Sequence, residues 1–139
     1  NVTSLNLQSF WYERIVKEQM RVEDITNSPV VVTQKTIKVA NLKGMLSRKE
    51  INAVPVIDTD GSISGIVSSS DIVNCHDDSM LVAEVMSSFI HLVAPNSRVK
   101  DAARTMVKHA GHHLVVMEDG KVIGMLRSMD IIKIYAELD

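Results

Sequence analysis

A glycine, a polar residue and an aspartate recur at one spacing in two stretches of the sequence. The first stretch reads Gly65-Ile66-Val67-Ser68-Ser69-Ser70-Asp71, and 59 positions later the second reads Gly124-Met125-Leu126-Arg127-Ser128-Met129-Asp130. Each pattern predicts a short apolar strand that enters a helix with the aspartate in its first turn. Such a junction brings backbone N–H groups, a hydroxyl and a carboxylate together, so it can hold a polar ligand, although Ser and Asp also serve there as helix caps.

An internal repeat positions the two junctions. Residues 24–32 align with residues 84–92 at an offset of 60, and residues 54–57 align with residues 113–116 at an offset of 59, with one residue lost near Lys108. Between these blocks each copy carries apolar residues at helical spacing, the buried stripe of an amphipathic helix. The stripe residues are Val39, Leu42 and Leu46 in the first copy and Val99, Ala102 and Met106 in the second. An Asp-Gly turn then predicts a β-hairpin in each copy.

Each repeat is therefore predicted to run strand–helix–strand–strand–helix. A three-stranded sheet with two helices cannot bury both of its faces alone, so the repeats should pack on each other about a pseudo-twofold axis. The predicted fold class is α/β (α+β in its layering), and the two junctions should flank the cleft between the repeats. The predicted divisions are 1–21 (N-terminal helical extension), 22–76 (repeat 1), 77–83 (linker) and 84–139 (repeat 2 and C-terminal helix).

The N-terminal extension carries apolar residues at helical spacing, including Phe10 and Trp11. Such bulk needs a partner surface. We favour an amphipathic helix that packs across a homodimer over a helix that only braces its own chain.

Composition excludes several classes of protein. The 139 residues carry a net charge of −2, which argues against the clustered basic face that binds nucleic acid. No apolar run approaches the roughly 20 residues that cross a bilayer, so we expect no membrane insertion. The one cysteine, Cys75, allows no internal disulfide, and we expect a reducing, cytoplasmic compartment. Because the chain begins at Asn1, we expect a processed form or a piece of a longer protein.

Residues 22–135 resemble a tandem pair of CBS domains, the Bateman module. The resemblance is carried by the β-α-β-β-α order, the Val-Pro-Val strand, the Asp-Gly turn, the Gly-x-x-Ser-x-x-Asp ending and the opening Val85-Met86-Ser87. It implies a regulatory module without catalytic activity that binds an adenine nucleotide (AMP, ADP or ATP) between its repeats. It also implies pairing into a flat homodimer and an unidentified target protein or effector domain.

The resemblance also implies which residues bind. In such modules an aspartate accepts hydrogen bonds from both ribose hydroxyls, which suits a carboxylate because its two oxygens accept two O–H donors. Asp71 matches that aspartate, and Ser68 matches the hydroxyl residue that reaches phosphate. Gly65 and Ile66 belong to the same motif.

The second junction departs from this pattern. Asp130 matches the ligand aspartate, but Arg127 replaces the hydroxyl residue. Arg127 either supplies charge to a phosphate or closes the cleft by its bulk. We therefore expect the Asp71 cleft to be the working one.

A histidine cluster, His109, His112 and His113, allows three interpretations. A metal site is disfavoured, because zinc needs three or four converging ligands and no cysteine lies near; no metal is expected. The cluster could also simply close a helix with polar residues. The third interpretation rests on resemblance: His112-His113-Leu114-Val115-Val116 is similar to the His-Arg-Leu-Val-Val stretch of the AMP-activated kinase gamma subunit, whose basic pair faces the phosphates. His112 and His113 would then join Ser68 and Asp71 in one cleft, while Ala53-Val54 at the matching positions offer no charge.

Three functions remain open at this point. The first is a nucleotide-sensing regulatory module, with S-adenosylmethionine as an alternative ligand. The second is a dimerisation or interaction module that has lost its ligand. The third, a metal-dependent hydrolase built on the histidines, is weak, because zinc needs three or four converging ligands. Nucleophilic catalysis is not indicated either, since Ser68 has no placed base and Cys75 beside His76 is adjacent only in sequence.

Overall fold

A computed structural model of the chain describes residues 18–26, 30–49 and 51–137. The helices within this part are α1 Val22–Ile25, α2 Val39–Lys49, α3 Ser69–Val73, α4 Val82–Val85, α5 Val99–His109 and α6 Ser128–Glu137. The strands are β1 Ala53–Ile57, β2 Ile63–Ser68, β3 Leu92–Val93, β4 His113–Glu118 and β5 Lys121–Arg127. The mixed helix and sheet confirm the predicted fold class. Phe10, Trp11 and the dimer contact predicted for them lie outside the described residues.

Two antiparallel hairpins form the centre of the fold. Strand β1 pairs with β2, and β4 pairs with β5. The strand predicted to open each repeat is short. In the second repeat it is β3, which runs parallel to β4. In the first repeat it is a single parallel bridge, in which the Thr33 N–H donates to the Pro55 carbonyl at 3.0 Å and the Ile57 N–H donates to the Thr33 carbonyl at 2.9 Å.

The hairpins correct the sequence alignment of the repeats by one residue. Ala53 pairs with Ser68, and His113 pairs with Arg127 at the same point of the second hairpin. His113 therefore corresponds to Ala53 rather than to Val54, and His112 corresponds to Asn52. The lost residue lies in the hairpin turns: residues 59–61 lie between Asp58 and Ser62, which share a backbone hydrogen bond, whereas residues 119–120 lie between the paired Glu118 and Lys121. The physical reason is register, since a slip of one residue would turn every core side chain of a strand to the opposite face.

The short helices α1 and α4 are exchanged between the repeats. The Val22 N–H donates to the Ser97 carbonyl at 2.9 Å, ahead of α5, while the Val82 N–H donates to the Ile37 carbonyl at 2.8 Å, ahead of α2. Val22 is fully buried in the core of the second repeat, and Val82 is fully buried in the core of the first. Each repeat thus completes its core with a side chain from the other.

Two apolar cores result, and the predicted helical stripes are confirmed in both. The first contains Val39, Leu42, Leu46, Val54, Val56, Val67, Ile72 and Val82. The second contains Val22, Ala102, Met106, Leu114, Val116 and Leu126. Burial of such aliphatic side chains stabilises a fold by about 1.5–3 kcal/mol for each large one. Because β1 also packs against β5, the two junctions belong to one continuous body.

Candidate functional site

The first junction is where β2 ends at Ser68 and α3 begins. Asp71 Oδ2 accepts hydrogen bonds from the Ser68 N–H at 2.8 Å and from the Ser68 hydroxyl at 3.0 Å. The Asp71 N–H approaches Ser68 Oγ at 3.4 Å in return. These are the reciprocal contacts of a capping box. Asp71 is half-buried, and its second oxygen, Oδ1, accepts no hydrogen bond from the residues that the structure describes. One carboxylate oxygen therefore remains available to a ligand.

The second junction repeats the hydrogen bond from the backbone N–H, but here both carboxylate oxygens of the aspartate accept hydrogen bonds. Asp130 Oδ2 accepts from the Arg127 N–H at 2.8 Å, as Asp71 does from Ser68. The guanidinium of Arg127 also donates to both carboxylate oxygens, with Nε 3.3 Å from Oδ2 and Nη2 2.8 Å from Oδ1. Asp130 is only 8% exposed. Both of its oxygens are occupied by groups of the chain itself.

The two candidate histidines lie at this second junction. His113 pairs with Arg127 across the hairpin, and the Ser128 N–H donates to the His112 carbonyl at 2.9 Å. Burial lowers the pKa of His113, the charges of His112 and Arg127 lower it further, and Asp130 opposes them. Within the described part of the chain, neither histidine makes a hydrogen bond or ion pair with Ser68 or Asp71. Their joining with that pair in one cleft stays a prediction.

Gly65 has a role that the sequence did not reveal, since a Cβ at this position would lie 2.6 Å from the sulfur of Met86 and 2.9 Å from the Ser87 carbonyl oxygen. Ser87 also exchanges two backbone hydrogen bonds of 2.9 Å with Ile66. The segment after α4 therefore lies directly across β2. Only a residue without a side chain admits such an approach.

The same crossing occurs in the other repeat. A Cβ at Gly124 would lie 2.5 Å from Cγ2 of Thr26, so the residues after α1 cross β5. Thr26 and Met86 occupy equivalent positions of the repeat. The recurrence of a glycine in both motifs is consistent with a close approach, but the residues that approach lie elsewhere in the chain and no local sequence pattern marks them.

A cavity of about 400 Å³ lies near the first junction, but the predicted ligand residues do not line it. Its walls come from α2, α3 and the start of the first hairpin. The lining residues are Lys43, Leu46, Ser47, Ile51, Asn52, Ser69, Ile72 and Val73. Among the residues with described positions, no group of three or more His, Cys, Asp or Glu side chains is arranged to hold a metal ion. No helix in that part of the chain is long and apolar enough to cross a membrane.

Comparison with protein families and with known sequences adds an independent finding. The family model described as "CBS domain" matches residues 22–77 and 82–137. Over 134 residues the chain is 28% identical to the A-adding tRNA nucleotidyltransferase of Aquifex aeolicus. Over 112 residues it is 36% identical to the homoserine O-acetyltransferase of Methanocorpusculum labreanum. These matches cover 94% and 78% of this chain but only 16% and 23% of the two relatives.

Comparison with solved structures gives the same fold over nearly the whole length of the neighbours. A putative acetoin utilization protein (AcuB) from Vibrio cholerae matches with a TM-score of 0.80 and 25% identity, covering 86% of this chain and 93% of that one. The CBS domain pair of protein MJ0100, crystallised with 5′-methylthioadenosine and S-adenosyl-L-methionine, matches with a TM-score of 0.78 and 24% identity. That match covers 84% of this chain and 96% of the other.

Proposed function

Because this chain belongs to the CBS-domain family, with two CBS domains in tandem, we propose that it is a regulatory module that binds an adenosyl ligand beside Asp71. The observation that carries the proposal is the oxygen Oδ1 of Asp71, which accepts no hydrogen bond from the described residues. The other oxygen of this carboxylate binds the Ser68 hydroxyl, which in turn lies 2.8 Å from the hydroxyl of Ser70. A ribose presents two adjacent O–H donors, and a carboxylate with a free oxygen beside hydroxyl groups offers matching acceptors.

The similar fold of MJ0100 supports the class of ligand, since that protein was crystallised with two adenosyl compounds. The adenosine part is common to 5′-methylthioadenosine, S-adenosylmethionine and the nucleotides AMP, ADP and ATP. Within this class we favour a nucleotide, because a bound phosphate would favour the protonated form of His112 and His113, against the burial that lowers the pKa of His113 in the unliganded chain. Ligand binding would then shift the module between two arrangements that differ in affinity.

The proposed module has no catalytic activity of its own. In the described part of the chain the Ser68 hydroxyl contacts the carboxylate and a neighbouring hydroxyl rather than a histidine. The Cys75 thiol contacts the Asp77 carbonyl at 3.2 Å and the Met80 sulfur at 3.8 Å, so it is packed rather than paired with a base.

The rival function, a ligand-free interaction module, is favoured by exposed apolar side chains on the outer helices. Val73 on α3 and Val107 on α5 are 80% and 82% exposed, and Ile132 on α6 is 54% exposed. Singly exposed apolar residues are common on protein surfaces, and they mark an interface where they form one contiguous patch. We propose a homodimer contact through such a patch in addition to ligand binding rather than in its place.

The proposal is tested by Asp71→Ala with Asp130→Ala as its matched partner. Removing the Asp71 carboxylate deletes hydrogen bonds to a charged acceptor, and the affinity for the adenosyl ligand should fall by about 1.5–3 kcal/mol, roughly 10- to 100-fold. Asp130→Ala should cost less, because Arg127 already occupies that carboxylate. Calorimetric titration measures both, after a thermal-shift panel of AMP, ADP, ATP, S-adenosylmethionine and adenosine has selected the ligand.

Two results would contradict the proposal. If no compound of the panel raises the midpoint of thermal unfolding, the rival function holds, because a ligand at 100 times its dissociation constant should add about 2.7 kcal/mol of stability. If Asp130→Ala weakens binding as much as or more than Asp71→Ala, the ligand lies at the second junction.

A further inference from the structure

The two junctions share one backbone geometry and differ in one side chain. Ser68 and Arg127 hold the same hairpin position, opposite Ala53 and His113. The backbone N–H of each donates to its aspartate at 2.8 Å. The carboxylate of Asp130, however, meets a guanidinium at both oxygens, whereas that of Asp71 meets only one hydroxyl, through Oδ2.

The guanidinium of Arg127 offers the kind of hydrogen bonding that a ribose would offer. A guanidinium presents N–H donors in a planar fork that fits a carboxylate, and a ribose presents two adjacent O–H donors to the same lone pairs. A carboxylate has about four lone-pair sites, and Arg127 takes up three of those of Asp130 through its backbone N–H, Nε and Nη2. Too few remain for both hydroxyls of a ribose. The Asp130 side chain is 7% exposed, while that of Arg127 is 43% exposed, so the arginine covers the carboxylate from the solvent side.

We propose that Arg127 is an internal occupant of the second junction, which takes the place of a ribose on Asp130 and so limits the chain to one adenosyl ligand, bound beside Asp71. This inference rests on the function proposed above. The difference between the junctions is chemical rather than architectural, because the backbone around Asp130 keeps the form found around Asp71. Removing the guanidinium should therefore open a second binding site without rebuilding the fold.

The test is a stoichiometry measurement on Arg127→Ser, which gives the second junction the residue that the first one has. Adenosine is the probe, since it lacks a phosphate that could draw the arginine away from Asp130. Calorimetric titration should give one adenosine per chain for the unmodified protein and two for Arg127→Ser. In Asp71→Ala with Arg127→Ser one site should return, now at the second junction.

Arg98→Ser is the matched control. Arg98 pairs with Asp101 at the same separation along the chain, with Nε 3.1 Å from Oδ2, but the pair lies at the start of α5 and belongs to neither Gly…Asp motif. This variant should keep one site. Arg127→Lys serves if Arg127→Ser does not fold, because an ammonium lacks the planar fork of donors that fits a carboxylate, so it should hold Asp130 less firmly and leave a second, weaker site.

A second readout does not depend on ligand. Arg127 lowers the pKa of His113, as do burial and His112, whereas Asp130 raises it. Loss of the guanidinium should thus raise the pKa of His113 in an NMR titration of Arg127→Ser, and Arg98→Ser should leave it unchanged. An unchanged pKa in Arg127→Ser would show that the guanidinium does not lie where the inference needs it.

The outcomes separate this inference from the proposed function. If the unmodified protein binds no adenosine and Arg127→Ser binds one, Arg127 does occupy the second junction, whereas the ligand site proposed beside Asp71 fails. If the unmodified protein binds one and neither Arg127→Ser nor Arg127→Lys gains a site, Arg127 is not what closes the second junction and the inference is overturned. If no variant binds adenosine and no compound of the thermal-shift panel binds the unmodified protein, both are overturned.

Discussion

Gly124→Ala tests whether the segment after α1 crosses β5 as closely as the structure shows. The added Cβ would lie 2.5 Å from Cγ2 of Thr26, whereas its next neighbours, on Val116, are 3.8 Å away. Non-bonded carbon atoms sit about 3.5–4.0 Å apart, so one group must move by about 1 Å. Thr26 cannot rotate freely, because its hydroxyl donates to the Val22 carbonyl at 2.7 Å.

The magnitude follows from two opposing terms. Overpacking of a close contact costs about 1–3 kcal/mol. Replacing glycine by alanine stabilises the folded state by about 0.4–1 kcal/mol, because it lowers the conformational entropy of the unfolded chain. We expect the free energy of unfolding of Gly124→Ala to fall by about 1–2 kcal/mol. For a chain of this length, the midpoint of thermal unfolding should then drop by roughly 4–8 °C.

Thr26→Ser provides a matched rescue, because it removes only the Cγ2 methyl group and keeps the hydroxyl that bonds to Val22. In Gly124→Ala with Thr26→Ser most of the lost stability should return. The coupling energy of the double-mutant cycle should be about 1 kcal/mol or more, measured by urea unfolding. Gly111→Ala is the control, since a Cβ there meets nothing within 4 Å and should not destabilise the protein.

Two results would refute this reasoning. If Gly124→Ala is as stable as Gly111→Ala, the segment after α1 does not lie against β5. If Gly124→Ala is destabilised but Thr26→Ser restores nothing, the cost arises elsewhere in the strand.

Three further predictions concern protonation and assembly. Because the pKa of His113 is lowered in the folded chain, the folded state binds fewer protons than the unfolded state, and the free energy of unfolding should decrease as pH falls below about 6.5. His113→Gln should flatten this decrease when stability is measured by urea titration at several pH values. An unaltered pH dependence in His113→Gln would contradict the assignment. Affinity for AMP should rise as pH falls from about 8 to 6 if His112 and His113 face phosphate, while adenosine affinity stays level; equal slopes for both compounds would make these histidines structural. Replacing Phe10 and Trp11 by Ser should lower the mass found by light scattering, and a monomeric unmodified chain would rule out the dimer.

Local patterns were sufficient to predict the amphipathic helices and the hairpins from the sequence, but not the four-residue helices α1 and α4. The stripe of Val39, Leu42 and Leu46 predicts a helix because residues three and four apart share one helical face, and the structure buries all three. The hairpins follow from Asp-Gly turns between apolar runs. The two copies of the Gly…Asp motif located both junctions, since a strand end and a helix start are encoded within a few neighbouring residues.

Only the tertiary structure decided how the repeats combine. The exchange of α1 and α4 joins residues far apart in the chain, and no local pattern specifies which of two similar cores Val22 will enter. The register of His113 against Arg127 depends on the length of the hairpin turn. The sequence alignment of the repeats put the lost residue before the hairpin instead, and so matched His113 to the wrong residue of the first repeat.

The second junction shows the same limit at the level of chemistry. Arg127 could have served a phosphate or closed the cleft, and the sequence is compatible with both. The burial of Asp130 and its contacts with the guanidinium at both oxygens arise because the hairpin and α6 hold the two side chains together. A carboxylate buried there needs a charged partner, and that requirement follows from the packing around Asp130.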